Sequence, residues 1–271
     1  MLKDITLGQY FPGNSYIHKL DPRVKILLTI AFVVMLFIAS NPIGLSVGIL
    51  FLIITYIISK IPFSMVLKSL KPIIPIVIFT SILNILFVTD ETFLFEFWII
   101  RISLKGIITA ITMSIRIICL IAGTMLLTYT TSPISLTDGL ERLMKPLAAI
   151  RFPVHEISMM MTIALRFIPT LIEETDKIMN AQKARGADLS SGKILNRIKA
   201  LIPILIPLFV SSFRRADELA LAMECRCYRG GEGRTRLKQL SLGMCDLISS
   251  LFVTTCIVGV VLINFYAPSF F

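Results

Sequence analysis

A chain of 271 residues that is 55% hydrophobic, with a mean hydropathy of +0.83, is too apolar for an ordinary soluble domain. Only 16% of residues are charged, and in a membrane protein a net charge of +10 collects in cytoplasmic loops, so no nucleic-acid partner is expected. Five cysteines (Cys119, Cys225, Cys227, Cys245, Cys256) and two histidines (His18, His155) show no metal-finger spacing, and no metal centre is expected.

Residues 1–20 are polar and lack a small-residue cleavage pattern, so the start does not read as a signal peptide. Apolar runs follow at about 24–40, 43–59, 72–88, 106–130 and 246–266, each close to the ~20 residues that a spanning helix needs. Five transmembrane helices are expected. Asn41-Pro42 separates the first two, and the proline can open the second helix. Positions 93–100 are too short to cross and read as an interfacial or hairpin segment, with Trp98 at headgroup depth.

Basic residues orient the spans. Lys3, Lys19, Arg23 and Lys25 precede or open span one, and Lys60, Lys68 and Lys71 lie between spans two and three. Asn41-Pro42 and the tail after span five have none, and the third loop sets Asp90, Glu91 and Glu96 against Arg101 and Lys105. The positive-inside rule then places the N-terminus in the cytoplasm and the C-terminus outside. Residues 131–240, with 17 Lys+Arg against 11 Asp+Glu, face the cytoplasm by the same rule. Three regions result: a four-helix membrane domain over 1–130, a cytoplasmic domain over 131–240, and a last transmembrane helix within 241–271.

The cytoplasmic stretch opens with a short amphipathic helix over 135–149, carrying Leu136, Leu140, Leu143 and Leu147. Two long helices follow. In the first, Ile157, Met161, Ala164, Ile168, Leu171, Thr175, Ile178 and Gln182 recur at three- and four-residue steps, and the next step lands on Arg185. In the second, Ile198, Ile202, Leu205, Phe209, Ser212, Ala216, Leu219 and Met223 keep the same rhythm and lead to Arg226. Each helix therefore carries a largely apolar stripe ending in a cation on the same face. Ala181-Gln-Lys-Ala-Arg185-Gly also matches Ala222-Met-Glu-Cys-Arg226-Cys as a weak repeat. Pro169 is expected to bend the first helix, and Pro203 with Pro207 the second. Leu201–Val210, short, proline-broken and flanked by Arg197, Lys199, Arg214 and Arg215, fits a helix lying on the membrane face better than a sixth span. Cys225 and Cys227, two apart on a predicted helix, point to different sides and do not share a metal.

Several residues admit two readings. Arg185 and Arg226 are either ordinary cations near helix C-termini, favoured by the macrodipole, or docking tips. Met159-Met160-Met161 is packing or an adaptable partner surface. The run Arg229, Arg234, Arg236, Lys238 reads as a lipid-headgroup anchor. Arg116, mid-span, marks a pathway or, preferably, a structural pair with a neighbouring helix such as the Asn84 amide.

Three motifs together carry a family likeness: Pro12-Gly13-Asn14-Ser15 with His18-Lys19-Leu20-Asp21-Pro22-Arg23, then Ala184-Arg185-Gly186, then Cys225-Arg226-Cys227 within Ala222–Tyr228. With them the chain resembles, over nearly its whole length, the transmembrane T component of energy-coupling factor vitamin transporters, a relative of the membrane subunit of cobalt transporters. The resemblance implies an all-α multi-pass protein of the bacterial cell membrane with long amphipathic cytoplasmic coupling helices. It further implies two cytoplasmic ABC-type ATPase subunits that hold ATP and Mg, and a membrane-embedded S component that captures the substrate. By that likeness Arg185 and Arg226 insert into grooves on the ATPases, flanked by the small residues Ala184, Gly186, Cys225 and Cys227. Cysteine at 225 and 227 departs from the family's usual alanine and glycine, which puts a need for glycine at 227 in doubt.

The residues give independent support. Arginine's planar fork binds carboxylates and carbonyls bidentately, and its charge does not titrate away. No phosphate-binding glycine loop ending in Lys-Ser/Thr occurs, so this chain is expected to be non-catalytic and without a cofactor of its own. The alternative function is a channel or secondary carrier that moves solute itself. That class wants paired acids or histidines at mid-bilayer, and the five spans read as free of Asp and Glu. A membrane enzyme would need a nucleophile, an acid–base pair or a metal cluster facing one site, and none is legible.

Overall fold

Proline and short polar caps set the helix starts. α1 (Tyr16–Lys19) is capped by Ser15, α2 (Pro22–Ile38) by Asp21, and α3 (Pro42–Ser59) opens on Pro42, where a missing N–H costs nothing. The computed structural model describes residues 10–88, 93–97, 100–187, 194–230 and 240–266. Lys3, Asp90, Glu91, Trp98, Arg234, Arg236 and Lys238 lie outside the described residues.

The third apolar run is longer than its hydropathy suggests. α4 (Phe63–Leu70) passes through a 3-10 turn, Lys71–Ile73, into α5 (Ile74–Phe87). Pro72 and Pro75 stand second in the turn and in α5, within the first turn where proline is tolerated, so the segment tightens there without breaking. β1 (Phe93–Phe97) pairs antiparallel with β2 (Ile100–Ser103), so the described residues here take the hairpin alternative. The Ser103 hydroxyl then caps α6 (Leu104–Thr130), accepting from the Gly106 N–H at 3.0 Å.

α7 (Pro133–Met144) ends earlier than 149. Pro146 cannot continue the ladder, and Lys145–Ile150 is a 3-10 segment. α8 (Val154–Ala184), α9 (Ile194–Cys225) and α10 (Met244–Tyr266) complete the helices.

Among the described residues, four helical segments are long and apolar enough to cross a membrane: Pro42–Ser59, Phe63–Phe87, Leu104–Thr130 and Met244–Tyr266. α2, with 17 residues, sits at the short limit for a fifth span. Leu201–Val210 lies inside α9, which is not among the four. The chain divides into two compact units, one from Gly8–Gly139 with Gln239–Phe271 and the other centred on Leu140–Lys238.

The first unit closes around Phe32, Met35, Leu36, Ala39, Cys119 and Val260, all buried. Phe51 stacks between Phe32 and Phe252, with ring centroids 5.4 and 5.7 Å away. Gly123 lets α6 approach α2, because a Cβ there would overlap the Phe32 ring. Gly123→Val is therefore expected to overpack this core, costing about 1–3 kcal/mol. A lowered thermal midpoint of the purified protein, against a smaller change for Gly259→Val, where nothing lies within 4 Å of a Cβ, checks this.

The N-terminal signature is a polar knot. The His18 Nε2–H donates to the Phe11 carbonyl at 3.0 Å, leaving Nδ1 to accept from the Ser15 hydroxyl at 2.6 Å. Burial holds the His18 pKa below the ordinary imidazole value, with the Phe11 bond opposing and the Lys25 charge adding. Gly13 is glycine for room: a Cβ would lie 2.9 Å from the imidazole Cε1. Lys25 Nζ donates to the carbonyls of His18 (3.1 Å) and Thr130 (2.9 Å), tying α2 to the end of α6. Arg23 grips Asp21 at 2.8 Å and donates to the Leu240 carbonyl at 3.2 Å.

The fifth apolar run does begin on an acid, Asp246, which corrects the reading of acid-free spans. It is buried, and its Oδ2 accepts from the Gly243 N–H at 2.8 Å in the manner of a capping box. Its Oδ1 accepts from the Asp21 N–H at 2.8 Å, so one carboxylate holds the starts of α2 and α10 together. The Gly243-x-x-Asp246 spacing was the available sequence signal. Arg116 is structural but does not pair with Asn84. Its guanidinium donates to the Ala39 carbonyl at 2.6 Å, at the negative end of α2, while the Asn84 amide donates to Thr80 of its own helix.

Candidate coupling tips

α8 is anchored at its start. The Ser158 hydroxyl donates to Glu141, and His155 Nδ1 lies 3.3 Å from the same carboxylate. Further along, Arg215 of α9 donates to Glu174 Oε2 at 2.9 Å, and the Ser211 hydroxyl donates to Oε1. Gln182 Nε2 reaches the Pro203 carbonyl at 3.4 Å. That carbonyl would normally accept from residue 207, and Pro207 has no N–H to give.

Among the described residues, much of the expected apolar surface is exposed. Met160, Met161, Ile202, Leu205, Phe209 and Phe213 are all exposed, and among the described side chains of α9 only Ile204 is a buried large apolar residue. A contiguous exposed apolar face of this kind marks a site of contact with a partner or a membrane.

Both helices end in the same turn. After α8, the Gly186 N–H donates to the Lys183 carbonyl at 3.0 Å and the Ala187 N–H to the Gln182 carbonyl at 3.0 Å. After α9, the Cys227 N–H donates to Glu224 at 2.9 Å and the Tyr228 N–H to Met223 at 3.0 Å. These are paired Schellman bonds, with Gly186 (φ 85°) and Cys227 (φ 55°) in the left-handed position. Arg185 and Arg226 stand at the residue before it. Both are exposed, and neither side chain pairs with another described residue. Ala184, Cys225, Gly186 and Cys227 around them are exposed too.

Cys225 is thus the last helical residue while Cys227 lies beyond the helix, which corrects the picture of two cysteines on one helix. Position 227 also has a reason to prefer glycine. An L-residue held left-handed costs roughly 1–2 kcal/mol, and Gly186 meets nothing within 4 Å where a Cβ would stand, so its cost on substitution is conformational. Opposite signs are expected: Gly186→Ala loosens its tip by about 1 kcal/mol, and Cys227→Gly tightens the other by a similar amount. Amide exchange reads this directly, faster at Ala187 in the first variant and slower at Tyr228 in the second.

The sequence pattern of the CbiQ family, described as "Cobalt transport protein", matches residues 13–237. A Clostridium kluyveri protein described as "Energy-coupling factor transporter transmembrane protein EcfT" is 56% identical over 261 residues, covering 95% of this chain and 96% of its own length. Proteins so described from Acidaminococcus fermentans (50% over 270 residues, 99% and 100% covered) and Bacillus subtilis (48% over 240, 89% and 91%) are similar across the same length.

Proposed function

The chain belongs to the CbiQ cobalt transport protein family, and from that premise we propose how it works as the transmembrane component of an energy-coupling factor transporter. Arg185 and Arg226 each seat in a groove on one of two cytoplasmic ATPase subunits. The exposed apolar face of α8 and α9 carries a small membrane S component that captures a vitamin or other micronutrient. ATP and Mg bind on the ATPases, whose opening and closing move the two tips. The N-terminus lies in the cytoplasm of a bacterial cell membrane.

One observation carries the reading: two equivalent helix ends each present an exposed arginine that pairs with nothing else described in the chain. A guanidinium in that state has its full fork available to a partner. Further support comes from the groups a solute carrier would use. Arg116 is engaged with the Ala39 carbonyl and Asp246 with two helix starts.

Reconstitution tests it. Liposomes holding this chain alone are expected to show neither ATP turnover nor uptake, and liposomes holding it with two ATPases and an S component are expected to show both. Uptake by the chain alone would return it to the carriers.

A further inference from the structure

We propose that Glu174 and Arg215 are a positioning pair that fixes the crossing of α8 and α9, and through it where both arginine tips stand; this rests on the coupling role proposed above. The two helices repeat at one offset. Met161 and Ile202, Ile168 and Phe209, Thr175 and Ala216, and the arginines themselves are counterparts in register. The Schellman bonds obey that register as well: Gln182 and Met223 accept the equivalent bonds, as do Lys183 and Glu224.

Glu174 and Arg215 are counterparts in this same register, and they touch, at 2.9 Å. Where two copies of one element cross about a two-fold axis, the residue on the axis meets its own equivalent. A repeat with unchanged charges would set like against like there. Instead the sequence places Glu173-Glu174 in the first helix and Arg214-Arg215 in the second. The reversal of sign falls on the pair that meets.

The second contact sets direction. From Glu174 to Gln182 α8 advances, while its partners on α9 step back from Arg215 to Pro203. The helices are therefore antiparallel where they touch, and their C-terminal tips lie to opposite sides of the crossing. From Glu174 to Arg185, and equally from Arg215 to Arg226, is roughly 16 Å of helix. Two tips related in this way suit two subunits themselves related by a two-fold axis.

The test uses the full complex with its ATPases, with spin labels carried on unnatural amino acids at 187 and 228 so that the native cysteines stay. Glu174→Arg and Arg215→Glu each bring like charges to the crossing. Each is expected to broaden the tip-to-tip distance distribution and to cut uptake at least ten-fold at matched membrane levels. The exchange of both, Glu174→Arg with Arg215→Glu, is expected to recover the native distribution and most of the uptake. Where a single variant fails to reach the membrane, the exchanged pair decides alone. An unchanged distribution in the single variants, or an exchange no better than either, overturns the positioning role. A shifted distribution with normal uptake overturns its link to coupling and leaves the geometry, which separates this failure from one of assembly at the arginines.

Discussion

Asp246→Ala is expected to lower the stability of the first unit by about 1–3 kcal/mol, since it strips the acceptor from the buried Asp21 N–H and leaves that donor unmade, while the exposed Gly243 N–H can turn to water. The two donors, Asp21 N–H and Gly243 N–H, belong to the starts of different helices. The change also removes an anion from two helix N-termini at once. Asp246→Asn keeps one acceptor oxygen and is expected to lose roughly half as much. The thermal midpoint of the detergent-purified protein is the measurement, with uptake as a second readout. Equal midpoints for wild type and the alanine variant would remove the carboxylate from the knot.

That residue also shows where sequence reading stops. The apolar runs, the three-four rhythm of α8 and α9 and the arginines at its end are periodic, local features, so they stand in the sequence itself. The hairpin of residues 93–100 was likewise limited by length. Partners far apart in sequence were not legible. Arg116 could not announce that its acceptor is the Ala39 carbonyl, because any helix end would serve. The signature around His18 was visible as a likeness, but its physics is an imidazole packed on Gly13 and a Lys25 strap to Thr130. Cys227 hid a left-handed turn behind a residue that rarely adopts one. Apolar content alone starts the third run too late, because the turn at Pro72 keeps helical direction and lets α4 and α5 count as one segment.

The second large effect concerns the arginines. Each is exposed here, and seated in a partner's groove each would be desolvated and paired. Removing one member of a buried charge pair costs about 2–5 kcal/mol, much of it from the partner left behind, or roughly thirty-fold or more in affinity. Arg185→Ala or Arg226→Ala alone is expected to weaken assembly and uptake, and the two together to abolish uptake. Lysine at either place is expected to rescue poorly, because it brings the charge without the fork. An ordinary helix-end cation behaves differently. Its contribution is about 0.3–1 kcal/mol, and lysine replaces it.

The most direct measurement is therefore substrate uptake together with ATPase co-purification for wild type, the double alanine variant and the double lysine variant, at matched membrane levels. Coupling through the tips predicts no uptake and little retained ATPase for double alanine, with double lysine close to it. Near-normal uptake by the double alanine variant would contradict it and leave both arginines as surface charge.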